Sequence, residues 1–136
     1  MKRCFALPAL ALALAATGIV YADDSVRDPA AKIVRGYNGG PPCDPQTIGD
    51  GSAPKAGPDE DMSNLSVSCS ADRNVGWTQL RANLPNPHAC VATLGDLRKQ
   101  RREVTIVRDP TDDNPHHCVL STITPRQFVR GSRYQP

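Results

Sequence analysis

From residue 65 onward the chain alternates apolar and polar positions with a period that changes along its length. Leu65-Ser66-Val67-Ser68-Cys69 alternates strictly, as a half-buried strand does. Trp77, Leu80 and Leu84 recur at helical spacing, which predicts a short helix over 75–83 with Asn74 as its N-cap. Residues 89–94 form a short apolar run read as a strand. The polar stretch 95–102 is helix-compatible, with Leu94 and Leu97 as its apolar grip. Residues 103–108 place Val104 and Ile106 on one face of a strand, Thr105 and Val107 on the other. A turn-rich loop follows, then a strand over 117–123. Thr124-Pro125 opens a helix, with Thr as N-cap and Pro at the first helical position, and Gly131 stops it.

The first 62 residues read differently. Lys2 and Arg3 precede an uncharged, Ala- and Leu-rich run that ends in Val20-Tyr21-Ala22, with small residues at the −3 and −1 positions. That is the pattern of a secretory signal cleaved after Ala22. The run is too short, and too interrupted by Pro8 and Gly18, for a membrane span of about 20 residues. No membrane span is expected after cleavage. Residues 23–62 read as an irregular acidic segment. Its Gly-Gly-Pro-Pro, Gly-Asp-Gly and Gly-Pro steps are turn signals, and it has few side chains to bury.

The expected organisation is therefore a signal peptide (1–22), an irregular Gly/Pro-rich segment (23–62), a small α+β domain (63–131) and a C-terminal tail (132–136). The domain should hold a short, mainly antiparallel sheet and two or three short helices.

Cysteine arithmetic changes the picture. Cleavage after residue 22 removes Cys4 and leaves Cys43, Cys69, Cys90 and Cys118, an even number in an exported chain, which reads as two disulfides. Small cores rarely supply more than about 3–5 kcal/mol alone, so the bridges should matter for folding. The spacing leaves three connectivities open. If the strand over 103–108 lies between those at 89–94 and 117–123, Cys90 and Cys118 stand about 9–10 Å apart, beyond the roughly 7 Å reach of a disulfide. Each would then pair with Cys43 or Cys69.

Charge divides the processed chain in two. Residues 23–72 carry nine acids and four bases, net −5; residues 73–136 carry ten bases and five acids, net +5. The halves should attract each other, unless the basic half meets an anionic partner. Candidate anion-binding residues are Arg98, Lys99, Arg101, Arg102 and Arg108. The 98–102 run has no interleaved aromatic residue, so base stacking on nucleic acid is unsupported beyond a basic C-terminal half.

The candidate chemistry lies in a short repetition. Asn86-Pro87-His88-Ala89-Cys90-Val91 recurs as Asn114-Pro115-His116-His117-Cys118-Val119, and the two copies hold all three histidines. Asn-Pro before a strand is an ordinary turn, so similar local structure accounts for the likeness. A metal site would use imidazole and thiolate, but the spacing fits no familiar zinc module and the thiols are expected to be oxidised; no metal or cofactor is expected. An up-down-up arrangement of the last three strands would put both copies at one edge. His88 and His117 could then act as acid and base on a phosphodiester. In that arrangement His117 is the freer ring and His116 the structural one. Nucleophile-elbow, phosphate-loop and dinucleotide motifs are absent from the sequence. The leading expectation is a secreted or periplasmic, disulfide-stabilised module that binds an unknown protein or anionic partner without catalysis. The alternative is a small histidine-dependent hydrolase of phosphodiesterase or nuclease type.

Overall fold

A computed structural model describes residues 23–36, 43–82, 84 and 88–136. The signal segment 1–22 lies outside the described residues, as do Asn86 and Pro87 of the first histidine motif. The elements, in chain order, are β1 (Lys32–Gly36), a 3-10 turn (Ile48–Gly51), β2 (Leu65–Ser70), α1 (Trp77–Ala82), β3 (Ala89–Thr93), α2 (Leu94–Gln100), β4 (Thr105–Arg108), β5 (His117–Ser121), α3 (Pro125–Arg130) and β6 (Arg133–Gln135). The strands form one sheet in the order β4-β5-β2-β1-β3-β6, and every pairing is antiparallel. This is the small, disulfide-stabilised α+β domain that the sequence predicts.

Two strands lie where irregular chain is expected. β1, within the acidic segment, is a central strand: Ile33 stands opposite Cys69 on one side and Ala92 on the other. Ile33 and Val34 are both fully buried although they point to opposite faces. A strand covered on both faces shows no alternation, so its sequence carries no period-two signal. β6, within the expected tail, pairs Tyr134 with Cys90 on β3. The Ser25–Val107 bridge lays the N-terminal segment along β4, where Val26 N–H donates to Ile106 C=O and Arg108 N–H donates to Asp24 C=O.

The two faces of the sheet are packed unequally. One face carries Ile33, Leu65, Cys69, Ala92, Ile106 and Leu120 against Leu94 and Leu97 of α2, Phe128 of α3, and Met62. The opposite face has a smaller cluster in which Leu80 of α1 meets Val34, Ala89 and Val91.

Helix boundaries follow from their caps. Thr124 Oγ1 accepts from Gln127 N–H while the Gln127 side chain accepts from Thr124 N–H, a reciprocal box at the start of α3. Thr93 caps α2. α1 begins at Trp77, two residues later than the sequence suggests. Gly76 C=O accepts its first helical bond from Leu80, and the Gln79 side chain accepts from Gly76 N–H. Asn74 belongs instead to the preceding turn, its N–H donating to Asp72 Oδ1.

The path from β3 to β4 corrects the expected up-down-up arrangement. β3 and β4 run in the same direction, because four antiparallel pairings separate them. α2 carries the chain across the sheet between them. β1 and β2 therefore lie between β3 and β5, and β4 lies outside both.

Candidate functional site, a mixed-charge cleft at one end of the sheet

The disulfides join Cys43 to Cys90 and Cys69 to Cys118. The first ties the chain after β1 to β3, and the second links the adjacent strands β2 and β5. Cys90 and Cys118 do not pair, as expected, although the geometry differs from the expected one. They lie on strands three spacings apart, about 14 Å. The two bridges fit an oxidising, extracellular location. Among the described residues, no helix is long and apolar enough to cross a membrane.

Strand register separates the histidines. His117 stands opposite Ser68, and Ser68 opposite Val34, so His117 belongs to the face covered in part by α1. His88 immediately precedes β3 and has the parity of Cys90, which puts it on the other face. There it shares a hydrogen bond with the Tyr134 hydroxyl. His88 and His117 thus occupy opposite faces of strands three spacings apart, and the shared edge expected for an acid–base pair is not formed. His117 does point away from the Cys118 disulfide, as its parity predicts.

The roles expected of the adjacent pair are exchanged. The His117 ring is engaged: its Nδ1 lies 2.7 Å from the Asp109 carbonyl oxygen and 3.4 Å from the Asp109 carboxylate. His116 is fixed through its backbone, its N–H donating to Asn114 Oδ1 and its C=O accepting from Cys69 N–H. His116 is one of the residues that line a cleft.

Most of the basic cluster is consumed within the molecule. Arg101 pairs with Asp61 and Glu103, each at 3.1 Å, and Lys99 with Asp96 at 3.0 Å. Arg98 donates to the Arg27 carbonyl at 2.9 Å. Arg126 grips Asp59 through two hydrogen bonds, which hold the Asp59 carboxyl below its ordinary range and raise the Arg126 guanidinium. The Asp61–Arg101 and Asp59–Arg126 pairs join the acidic half of the chain to the basic half, the mutual attraction that the charge division implies. Arg102 is exposed beside them. Arg35 is a different case. It projects from the core face of β1, donates to the Ser66 carbonyl at 2.8 Å, and is lowered in pKa by burial.

Arg108 alone of the candidate anion-binding set reaches the cleft, a space of about 650 Å³ at one end of the sheet. Its walls come from the N-terminal segment 23–27, the stretch 69–72 leaving β2, Val75, and Arg108, Pro115 and His116. Register explains the gathering. Arg108 stands opposite Cys118 on β5, and His116, two residues back, shares that face. The Ser25–Val107 bridge brings Asp24 beside Arg108. Asp23 and Arg27 neutralise each other at 2.6 Å. Ser25 hydrogen bonds, with Arg27 adding to them, hold the Asp23 carboxyl below its ordinary range. The Asp72 carboxylate accepts from the Asn74 N–H, its one partner among the described residues. Arg108, Asp24 and Asp72 thus bring charges to the cleft with no side-chain ion pair among the described residues. Asp24 and Asp72 escape sequence reasoning because no local motif marks them; they meet Arg108 only through long-range strand pairing.

The chain matches no family model, no curated protein and no solved structure.

Proposed function

We propose that this is an exported, disulfide-stabilised binding module without catalytic activity, and that its ligand presents an anionic group to the cleft between Arg108 and His116. The observation that carries this reading is the cleft itself: about 650 Å³, lined by His116 and by Arg108, whose guanidinium has no ion pair among the described residues. That volume is in the range of small-molecule sites, roughly 300–1,000 Å³. The signal pattern of residues 1–22 and the two disulfides support export to the periplasm or the medium. The separation of His88 from His117 counts against the histidine-dependent hydrolase. General acid–base catalysis needs both groups within hydrogen-bond reach of one substrate.

The test is chemical-shift mapping of the exported protein with acetate and with inorganic phosphate. The expected shifts centre on Arg108 and His116 and weaken with salt. Shifts centred on Arg102 and Lys99, or none at all, would overturn the assignment. Turnover of RNA, DNA or a cyclic phosphodiester would restore the hydrolase.

A further inference from the structure

The cleft is not simply basic. Arg108 and His116 share it with Asp24 and Asp72, whose carboxylates are not neutralised by ion pairs among the described residues. A ligand bearing only negative charge would leave those acids opposed to it. A ligand with a cationic and an anionic end would satisfy both signs. Val26, Ala71 and Val75 supply apolar wall to the same cleft.

The spacing of the charges narrows the class. Arg108 ends β4, and Asp72 lies two residues beyond the end of β2. β5 separates these two strands, two spacings or about 9–10 Å across the sheet. Through Cys118 the backbone of Arg108 stands level with Val67, five residues before Asp72, so the two backbones lie further apart than that. The ammonium and carboxylate of one amino acid are attached to a single carbon and cannot span that distance. An extended peptide covers about 3.3–3.6 Å per residue, so a peptide of at least about three residues is needed, with the long Arg108 side chain shortening the gap.

We infer that the cleft takes a short peptide with free termini, its ammonium at Asp72 and its carboxylate at Arg108 and His116. This rests on the reading of the cleft as the ligand site and adds the chemical class of the ligand. Asp24, whose backbone carbonyl accepts from the Arg108 N–H, disfavours a second carboxylate there. The ligand's small apolar side chains face Val26 and Val75.

The experiment is calorimetric titration of the exported, disulfide-intact protein with trialanine, N-acetyl-trialanine, trialanine amide and inorganic phosphate. Trialanine should bind about tenfold to a hundredfold more tightly than either blocked form, the loss expected for one charge-assisted hydrogen bond. Asp72→Asn keeps an acceptor for the Asn74 N–H. It should weaken trialanine by a similar factor and leave N-acetyl-trialanine unchanged. Arg108→Ala should weaken N-acetyl-trialanine and leave trialanine amide unchanged. If N-acetyl-trialanine binds as well as trialanine, or phosphate binds at Arg108 and no peptide does, the peptide inference falls while the anion-binding reading stands. If nothing binds at the cleft, both fall.

Discussion

The side-chain amide of Asn114 donates to the Ser68 hydroxyl at 2.8 Å in the interior, tying the turn before β5 to the middle of β2. The same side chain accepts from the His116 N–H at 3.0 Å. Asn114 thereby fixes the segment that brings His116 to the cleft. Asn114→Ala removes both bonds and leaves the buried Ser68 hydroxyl without its partner, which costs about 1–3 kcal/mol. Urea unfolding should show a lower midpoint with an unchanged slope. The double variant with Ser68→Ala should lose less than the two single changes added together, because the pair acts as a unit.

Reducing the protein should cost more than any of its surface contacts. The Cys69–Cys118 bridge has a sequence separation of 49 and the Cys43–Cys90 bridge one of 47. Closing loops of that size restricts the unfolded chain by about 4 kcal/mol each on a chain-entropy basis. The double change Cys69→Ala/Cys118→Ala is expected to lose stability of that order. Alkylation of the native protein without reductant should label none of the four cysteines. Labelling of two or more would contradict the pairing.

The elements that were legible in the sequence are those whose signal is local. Leu65-Ser66-Val67-Ser68-Cys69 announces β2 by alternation, and Thr124-Pro125 announces α3 by its cap. β1 was hidden because Ile33 and Val34 are buried on opposite faces, so neither period nor polarity marked it. β6 has three residues and exists as a strand only because β3 offers it an edge. The histidine motif shows where local reading ends. Both copies lead into strands, yet those strands run in opposite directions with β1 and β2 between them. That placement was fixed by the crossover through α2 and by a strand upstream of residue 62. The cleft was still less visible, since Asp24, Asp72 and Arg108 come from three distant segments and share no spacing.

Acid should unfold the protein through particular carboxylates. Lys99 and Thr93 donate to Asp96, the Lys99 bond contributing most, and lower its pKa; Arg126 does the same for Asp59. A carboxyl whose folded pKa lies below its unfolded value stabilises the fold above the unfolded value, about 3.9. That contribution is lost as pH falls toward the folded value. Thermal midpoints should therefore hold near neutrality with respect to these groups and decline below about pH 4. Asp59→Asn and Asp96→Asn should each flatten the acid limb. An acid limb of unchanged steepness in both variants would show that neither contact survives in solution. Both groups are exposed, so high salt should also reduce the effect.

Replacing the three histidines one at a time separates structure from binding. The Asp109 carbonyl can only accept, so the His117 Nδ1 carries the proton in their 2.7 Å contact. Asp109 N–H donates in turn to the His117 carbonyl, closing the mouth of the β4–β5 hairpin. His117→Ala removes the ring bond from a side chain that is only 18% exposed, and should cost about 0.5–1.5 kcal/mol. His88→Ala removes an exposed ring and should change stability by less than about 0.5 kcal/mol. Neither change should alter anion binding, because neither ring lines the cleft. His116→Ala should reverse the pattern. Its stabilising bonds are made by backbone atoms and survive the substitution, whereas the cleft loses one of its two anion-facing groups. Denaturation midpoints and ligand titrations on the three variants decide the matter. Loss of binding in His117→Ala at full stability would return that residue to the functional site and remove His116 from it.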